Sequence, residues 1–238
     1  MDHSTDRLQQ KRIGPLAESA RYRGPIPAVG GKILTATEKQ RLNPKRLWLQ
    51  LDDDEIGCIL SHLKAIHLVS DRELQRAIVL EDDATFDDDF PIWAHCDCPL
   101  PNDADVVKLE GFGAERTLKI PVLRHGNRTI QFSYKPTGGA AAYLITLEGA
   151  RKALKALDVM RGPVDYDLTA YWRTGLVVYD VWPFPARQVG SSMKVRQHPR
   201  RTLPYRVGRY FLKNSDKLGR LIFGIRRFGL QVLLTRQR

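Results

Sequence analysis

The residues Ala77, Ile78, Val79 and Leu80 form an unbroken apolar run that stops at three carboxylates, Glu81, Asp82 and Asp83. A short run with β-branched members and no polar alternation predicts a strand buried on both faces of a parallel sheet. Upstream, Ile56, Ile59, Leu60, Leu63 and Ile66 recur at helical spacing behind the acids Asp52 to Glu55. This predicts a helix packed on the core, with its acidic start complementing the helix dipole. His62 lies on that helix and reads as a structural polar residue rather than a ligand. Asp105 to Gly111 predicts a second strand ending in a turn, and Leu118 to Tyr134 one or two strands with a turn at Gly126-Asn127. Leu147 to Leu157 predicts a helix, Gly162 to Leu168 a turn that opens another, and Leu176 to Trp182 a strand stopped by Pro183 and Pro185. Toward the N-terminus, Thr5 to Ala17 reads as a basic helix and Ile26 to Lys32 as an edge strand with a glycine turn. Thr37 to Gln50 is polar and has no clear period.

Composition changes this picture in one place. The chain has 238 residues and a net charge of +11. From Arg200 to Arg238 there are eleven Lys and Arg against one acid, Asp216, so nearly all of that charge sits in the last stretch. Such asymmetry indicates a tail with its own partner. The expected division is a domain over residues 1–192 and a basic amphipathic tail over 193–238. No run of 18 apolar residues is present, so no membrane span is expected, and the N-terminal residues do not read as a signal peptide. Three cysteines, Cys58, Cys96 and Cys98, are too few for a disulfide framework and fit reduced thiols in a cytosolic setting. His95-Cys96-Asp97-Cys98 lacks the second ligand pair that a zinc site needs.

The acidic triplet carries the candidate chemistry. A strand's carboxyl end is where open α/β sheets bind ligands. Three adjacent carboxylates repel one another and need a positive partner when desolvated. A hard divalent cation takes carboxylate oxygens and commonly carries substrate phosphates as well. An exposed acidic turn is the plain alternative. Gly138 and Gly139, followed by Ala140 to Ala142, permit close approach of backbone to a ligand. Asp165 and Asp167 are either ordinary helix-start acids or site residues.

Several of these pieces together resemble glycosyltransferase family 25, the lipopolysaccharide and collagen sugar transferases. They are Glu55 to His62, Ile78 to Ala84, Asp105 to Leu109, Thr137 to Ile145 with Gly149-Ala150, Pro163 to Asp165, and the proline-containing segment Pro183 to Gln188. Their order and spacing resemble the family over residues 5–192. The resemblance implies an α/β, GT-A-like nucleotide-sugar transferase domain with a mixed, mostly parallel sheet flanked by helices. It implies a UDP-sugar donor, Mn²⁺ or Mg²⁺, and inversion at the anomeric carbon. Glu81 and Asp83 would be the metal ligands, and Glu81, Asp82, Gly138 and Gly139 would face the donor. Two departures stand out. The strand that usually precedes an Asp-Arg pair is not found before Asp6-Arg7, so the domain is expected to lack its first strand. The family's Ala-Val-Asp-Gly reads here Ala28-Val29-Gly30-Gly31.

An inverting transfer needs one carboxylate within hydrogen-bond reach of the acceptor hydroxyl. Asp165 is the first expectation for this base, Asp167 the second and Glu110 a weaker third. The expected reaction moves a hexose, galactose or glucose, to a lipopolysaccharide or other surface glycan. The rival expectation is a truncated, non-catalytic remnant that binds a sugar or a partner. Nucleic acid is not an expected partner, because the tail interleaves its basic residues with large apolar ones and leaves few free aromatic platforms for bases. As a helix from Arg206 to Val232, the tail would align Arg206, Arg209, Lys213, Lys217, Arg220 and Arg227 in one stripe, with apolar residues away from it. That pattern predicts an interfacial helix on an anionic membrane surface, ordered only on binding. The expected location is cytoplasmic, peripheral on the inner face of the cell membrane, near a lipid-linked acceptor. A helix packed back on the domain is the alternative.

Overall fold

The computed structural model describes residues 24–42, 51–95, 98–113, 117–158, 161–189 and 203–229. The expected helix over Thr5 to Ala17 and the Cys96-Asp97 pair lie outside them. Among the described residues the chain forms a mixed α/β fold. The helices are α1 (Ala36–Leu42), α2 (Asp53–Asp71), α3 (Phe90–Ala94), α4 (Leu147–Ala156), α5 (Val164–Thr169), α6 (Tyr171–Thr174) and α7 (Leu203–Phe228). The strands are β1 (Arg76–Leu80), β2 (Ala84–Phe86), β3 (Val106–Lys108), β4 (Lys119–His125), β5 (Arg128–Ser133), β6 (Ala142–Thr146), β7 (Val178–Trp182) and β8 (Ala186–Gln188).

Six strands form one sheet in the order β1-β6-β3-β7-β5-β4, and β2 pairs with β8 apart from it. The sheet is mixed, but it is not the mostly parallel one that the sequence led us to expect. Only β3 and β7 run parallel; β1-β6, β3-β6, β5-β7 and β4-β5 are all antiparallel. Nor is β1 buried on both faces. It lies at one end of the sheet order, and its residues are mostly half-buried. An apolar run reports burial but carries no information about strand direction. The most enclosed stretches lie in β3, β6 and β7, where Val106, Val107, Ala142, Tyr143, Ile145, Tyr179 and Val181 are almost wholly shielded, although Trp182 at the end of β7 is exposed.

The helix α2 forms for reasons legible in its first turn. Asp52 accepts from the Glu55 amide at 2.8 Å, and Glu55 accepts from the Asp52 amide at 3.0 Å. This reciprocal capping box satisfies two otherwise orphaned donors. Ile56, Ile59 and Ile66 then bury one face. The stretch expected as an edge strand, Ile26 to Lys32, is instead irregular and ends in a short 3₁₀ turn, Gly31–Ile33. Its glycine is required by packing: a Cβ on Gly31 would lie 1.8 Å from the Asp53 carbonyl oxygen.

The basic tail helix α7 packs against the domain. Its Phe223 stacks on Phe132 of β5 and meets Tyr171 of α6 at a tilt, and Phe228 also meets Phe132. Asp216 is buried and accepts from the Tyr166 hydroxyl at 2.6 Å and the Trp172 indole at 2.9 Å. Gly219 lies against the Trp172 ring, and Arg227 donates to Asp103 and to the Tyr179 hydroxyl. The expectation of a helix that orders only on a membrane is therefore corrected: one face of α7 belongs to the fold. The side chains of Arg206 and Arg209 and residues 230–232 lie outside the described residues.

The docking of α7 predicts a stability effect. Asp216→Ala removes the acceptor for two largely shielded donors and should destabilise the chain by about 2 kcal/mol. Asp216→Asn keeps one acceptor and should lose less. Urea midpoints of the two variants check this ordering.

Candidate active site

The sheet brings its acidic residues to one edge through its registers. Leu80 pairs with Ala142, and Lys108 pairs with both Tyr143 and Asp180. The ends of β1 and β3 and the loop entering β6 therefore meet. Glu81 follows β1, Glu110 follows β3, Gly138 and Gly139 precede β6, and Asp165 lies in the first turn of α5.

Glu81 is held by a chain of hydrogen bonds. His62 of α2 reaches it through Nε2 at 3.0 Å, and the Tyr143 hydroxyl contacts His62 Nδ1 at 3.1 Å. Burial pushes the Tyr143 phenol well above its ordinary value. A carboxylate oxygen only accepts, so His62 Nε2–H donates to Glu81 Oε1, and in the neutral ring Nδ1 is left to accept from the Tyr143 hydroxyl. The Cys58 thiol lies 3.9 Å from the same oxygen. Burial, with nearby Glu81 and Asp165, pushes that thiol up to about 12.

The second carboxylate oxygen of Glu81 faces Asp83. Gln188 at the end of β8 donates from Nε2 to Glu81 Oε2 at 3.0 Å and to Asp83 Oδ2 at 3.1 Å. Two carboxylates that share one donor have their oxygens converging on one point. Desolvation and the charges of Glu81 and Asp82 raise the Asp83 pKa, against the Gln188 hydrogen bond. An all-oxygen pair in mutual repulsion fits a hard divalent cation such as Mg²⁺ or Mn²⁺. A softer donor set also exists beside it, because ligand atoms of Cys58, His62 and Glu81 lie within 4.8 Å of one another. Asp82 is exposed. The later acids are a different group. Asp87 and Asp89 bind Arg128 at 2.9 and 2.6 Å, and this holds Asp89 below the ordinary carboxylate range.

Gly139 joins the two sides of the site. Its φ is +87°, and a Cβ there would lie 2.4 Å from the Glu110 carboxylate. Its amide donates to Asp165 Oδ2 at 3.0 Å, and the Ala141 amide donates to Glu110 Oε2 at 3.2 Å. Burial raises the Glu110 pKa, Lys108 opposes this, and Glu81 and Asp165 add to it. Asp165 is half-buried at this junction.

Asp167, the second expected base, points into different work. It is buried and accepts from the amides of Arg161 and Gly162 at 2.8 and 3.0 Å and from Arg173 at 2.9 Å. Desolvation raises its pKa even so. Those bonds fix the turn that starts α5, and the two acids expected as alternatives thus have different surroundings.

Lys108 and Gln188, like Tyr143, were not foreseen as residues of the site. Lys108 is completely buried, and its ammonium donates to the carbonyls of Thr137 and Gly138 at 2.9 and 2.6 Å and to Thr137 Oγ1 at 3.0 Å. A lysine inside the apolar run Val106 to Leu109 was the available signal. Gln188 was visible only as part of a resembling segment.

Residues 26–168 match glycosyltransferase family 25, described as LPS biosynthesis protein. The chain is similar to procollagen galactosyltransferase 1 of Danio rerio, at 28% identity over 69% of this chain and 29% of that protein. It is also similar to procollagen galactosyltransferase 2 of Homo sapiens, at 37% identity over 27% of this chain and 12% of that protein. The chain thus spans less than a third of the length of these relatives. The match covers more than half of the chain and includes the triplet, Glu110, the paired glycines and Asp165, so the chain belongs to glycosyltransferase family 25.

Proposed function

We propose that the chain is a metal-dependent, inverting glycosyltransferase of GT-A-like architecture. It transfers a hexose from a UDP-sugar to a hydroxyl of a glycan acceptor such as lipopolysaccharide. The observation that supports this reading is that Asp165 and Glu110 meet at Gly139, near the end of β1 where Glu81 and Asp83 share the Gln188 amide. Galactose is the favoured sugar, because the named relatives are galactosyltransferases.

The roles follow from the contacts. Glu81 and Asp83 would hold Mn²⁺ or Mg²⁺, which when bound neutralises charge on a leaving diphosphate. His62 and Tyr143 orient Glu81 so that Oε2 faces Asp83. Gln188 occupies the shared point and would give way to a cation. The open backbone at Gly138 and Gly139 gives the donor room to approach. Asp165 is the proposed base: its Oδ2 is held by the Gly139 amide, which fixes its direction without consuming its capacity to accept a further proton. Glu110 is the second candidate, since its raised pKa makes it the better proton acceptor once ionised, at the cost of being less often ionised.

Asp83→Ala should abolish divalent-dependent hydrolysis or transfer of UDP-sugar while the fold persists by circular dichroism. Full metal-dependent activity in this variant would remove Asp83 from the site.

Asp165→Asn keeps an oxygen for the Gly139 amide and removes only basicity. Turnover should fall by about 10²–10⁴-fold, the usual contribution of a general base, with UDP affinity by calorimetry nearly unchanged. A large loss of UDP affinity would move Asp165 to the donor site, and a larger turnover loss in Glu110→Gln would make Glu110 the base.

A further inference from the structure

We propose that the outward face of α7 is a docking surface for an anionic lipid bilayer, presented by a helix already folded onto the domain. The helix has two apolar faces. Phe223 belongs to the inward one, which also carries Asp216 and Gly219. The outward one carries Val207, Tyr210, Phe211, Leu218 and Ile222, all exposed, with Tyr210 and Phe211 at 66% and 67%. At about 100° per residue these five fall within an arc of about 120°, and Asp216 lies opposite its midpoint. A tyrosine, a phenylalanine and three aliphatic side chains thus share one solvent-facing stripe, in which Tyr210 and Phe211 meet edge to face.

Charge selects the occupant. Lys213 and Lys217 flank the stripe on one side and Arg226 on the other, and all three are exposed. The helix's one acid, Asp216, is buried and hydrogen-bonded on the far side, so the outward half presents positive charge alone around an apolar strip. An apolar strip bordered by lysine and arginine is the pattern of a helix lying in the plane of a bilayer, its apolar residues at the acyl boundary and its cations at anionic headgroups. No helix of the described residues is long and apolar enough to cross a membrane, so this contact is peripheral.

Docking also relates the surface to the site. Tyr166, which donates to Asp216, is the residue after Asp165. On the transferase reading above, a bilayer-bound α7 is hydrogen-bonded directly to the element carrying the proposed base, which suits an acceptor borne on lipid.

The test uses the full chain, because deleting α7 would uncover Phe132, Tyr171 and Trp172. Wild-type protein should float with phosphatidylglycerol-containing vesicles, less in high salt, and far less with phosphatidylcholine alone. Phe211→Glu with Leu218→Glu should reduce flotation at least tenfold, and Lys213→Gln with Lys217→Gln about fivefold per lysine. Both pairs are exposed, so urea midpoints and UDP affinity should stay at wild-type values. Flotation unaffected by the Glu substitutions, or equal binding to neutral vesicles in high salt, would overturn the proposal. So would a dimer in light scattering that the Glu substitutions split, because a second copy would then own the stripe. A failure of transferase activity leaves these readouts intact and bears only on the previous section.

Discussion

The fully buried ammonium of Lys108 is the constraint on which the site depends. A charge stripped of water is costly unless it is paired and hydrogen-bonded. Burial pulls the Lys108 pKa down, and Asp180, Glu110 and Asp165 push it back up. Its three hydrogen bonds all go to Thr137 and Gly138, so the ammonium fixes the backbone just before Gly139. Thr137 in turn donates to Asp180 at 3.1 Å, and Ser133 donates to the other Asp180 oxygen at 2.5 Å. Three strands, β3, β5 and β7, are thereby tied to one loop. That loop then places the Gly139 amide against Asp165 and its Cα against Glu110. An apolar side chain at position 108 would leave Asp180 and Glu110 as uncompensated buried acids, which is the costly way to break such a group.

The acids around this lysine are sorted by their partners, not by their spacing in the chain. Glu81 has one oxygen toward His62 and one toward Asp83. Asp87 and Asp89, a few residues on, are neutralised by Arg128 and serve the fold. Asp105 is buried, pairs with Lys152 and accepts from the Val177 amide at 2.8 Å, which ties α4 to the approach of β7. Glu81 and Asp83 converge on the Gln188 amide, and Glu81 also meets His62 Nε2 at 3.0 Å.

Much of this was legible. The helix α2 behind its acidic start, the turn at Gly126, the helix from Leu147 and the strand before Pro183 all follow from local residues whose preference agrees with their final state. Direction was not legible, because an apolar run such as Ile78 to Leu80 or Ala140 to Ile145 does not say which neighbour it pairs with or which way it runs. The first became the half-buried end strand β1, and the second led into the enclosed β6. Asp165 and Asp167 could not be separated by sequence either. Two residues apart in the first turn, they point to different sides of α5, one to the Gly139 amide and one to the turn at Arg161 and Gly162. Gln188 was marked only by its place in the Pro183 to Gln188 segment, since nothing in a three-residue strand shows what its last side chain will meet.

The tail shows how a correct periodicity can carry an incomplete partner assignment. Amphipathicity predicts that a helix has something apolar to cover, and it does not count how many such surfaces there are. In α7 the Phe223 and Leu218 sides are both apolar, and a single acid decides between them. A carboxylate at a lipid surface is unfavourable, whereas between the Tyr166 hydroxyl and the Trp172 indole it gains two hydrogen bonds. Asp216 therefore sets the rotation of the helix about its axis. With Asp216 inward, Phe223 must meet Phe132 and Tyr171, and Phe211 and Leu218 must face out. The exposed stripe is thus a geometric consequence of satisfying one buried acid.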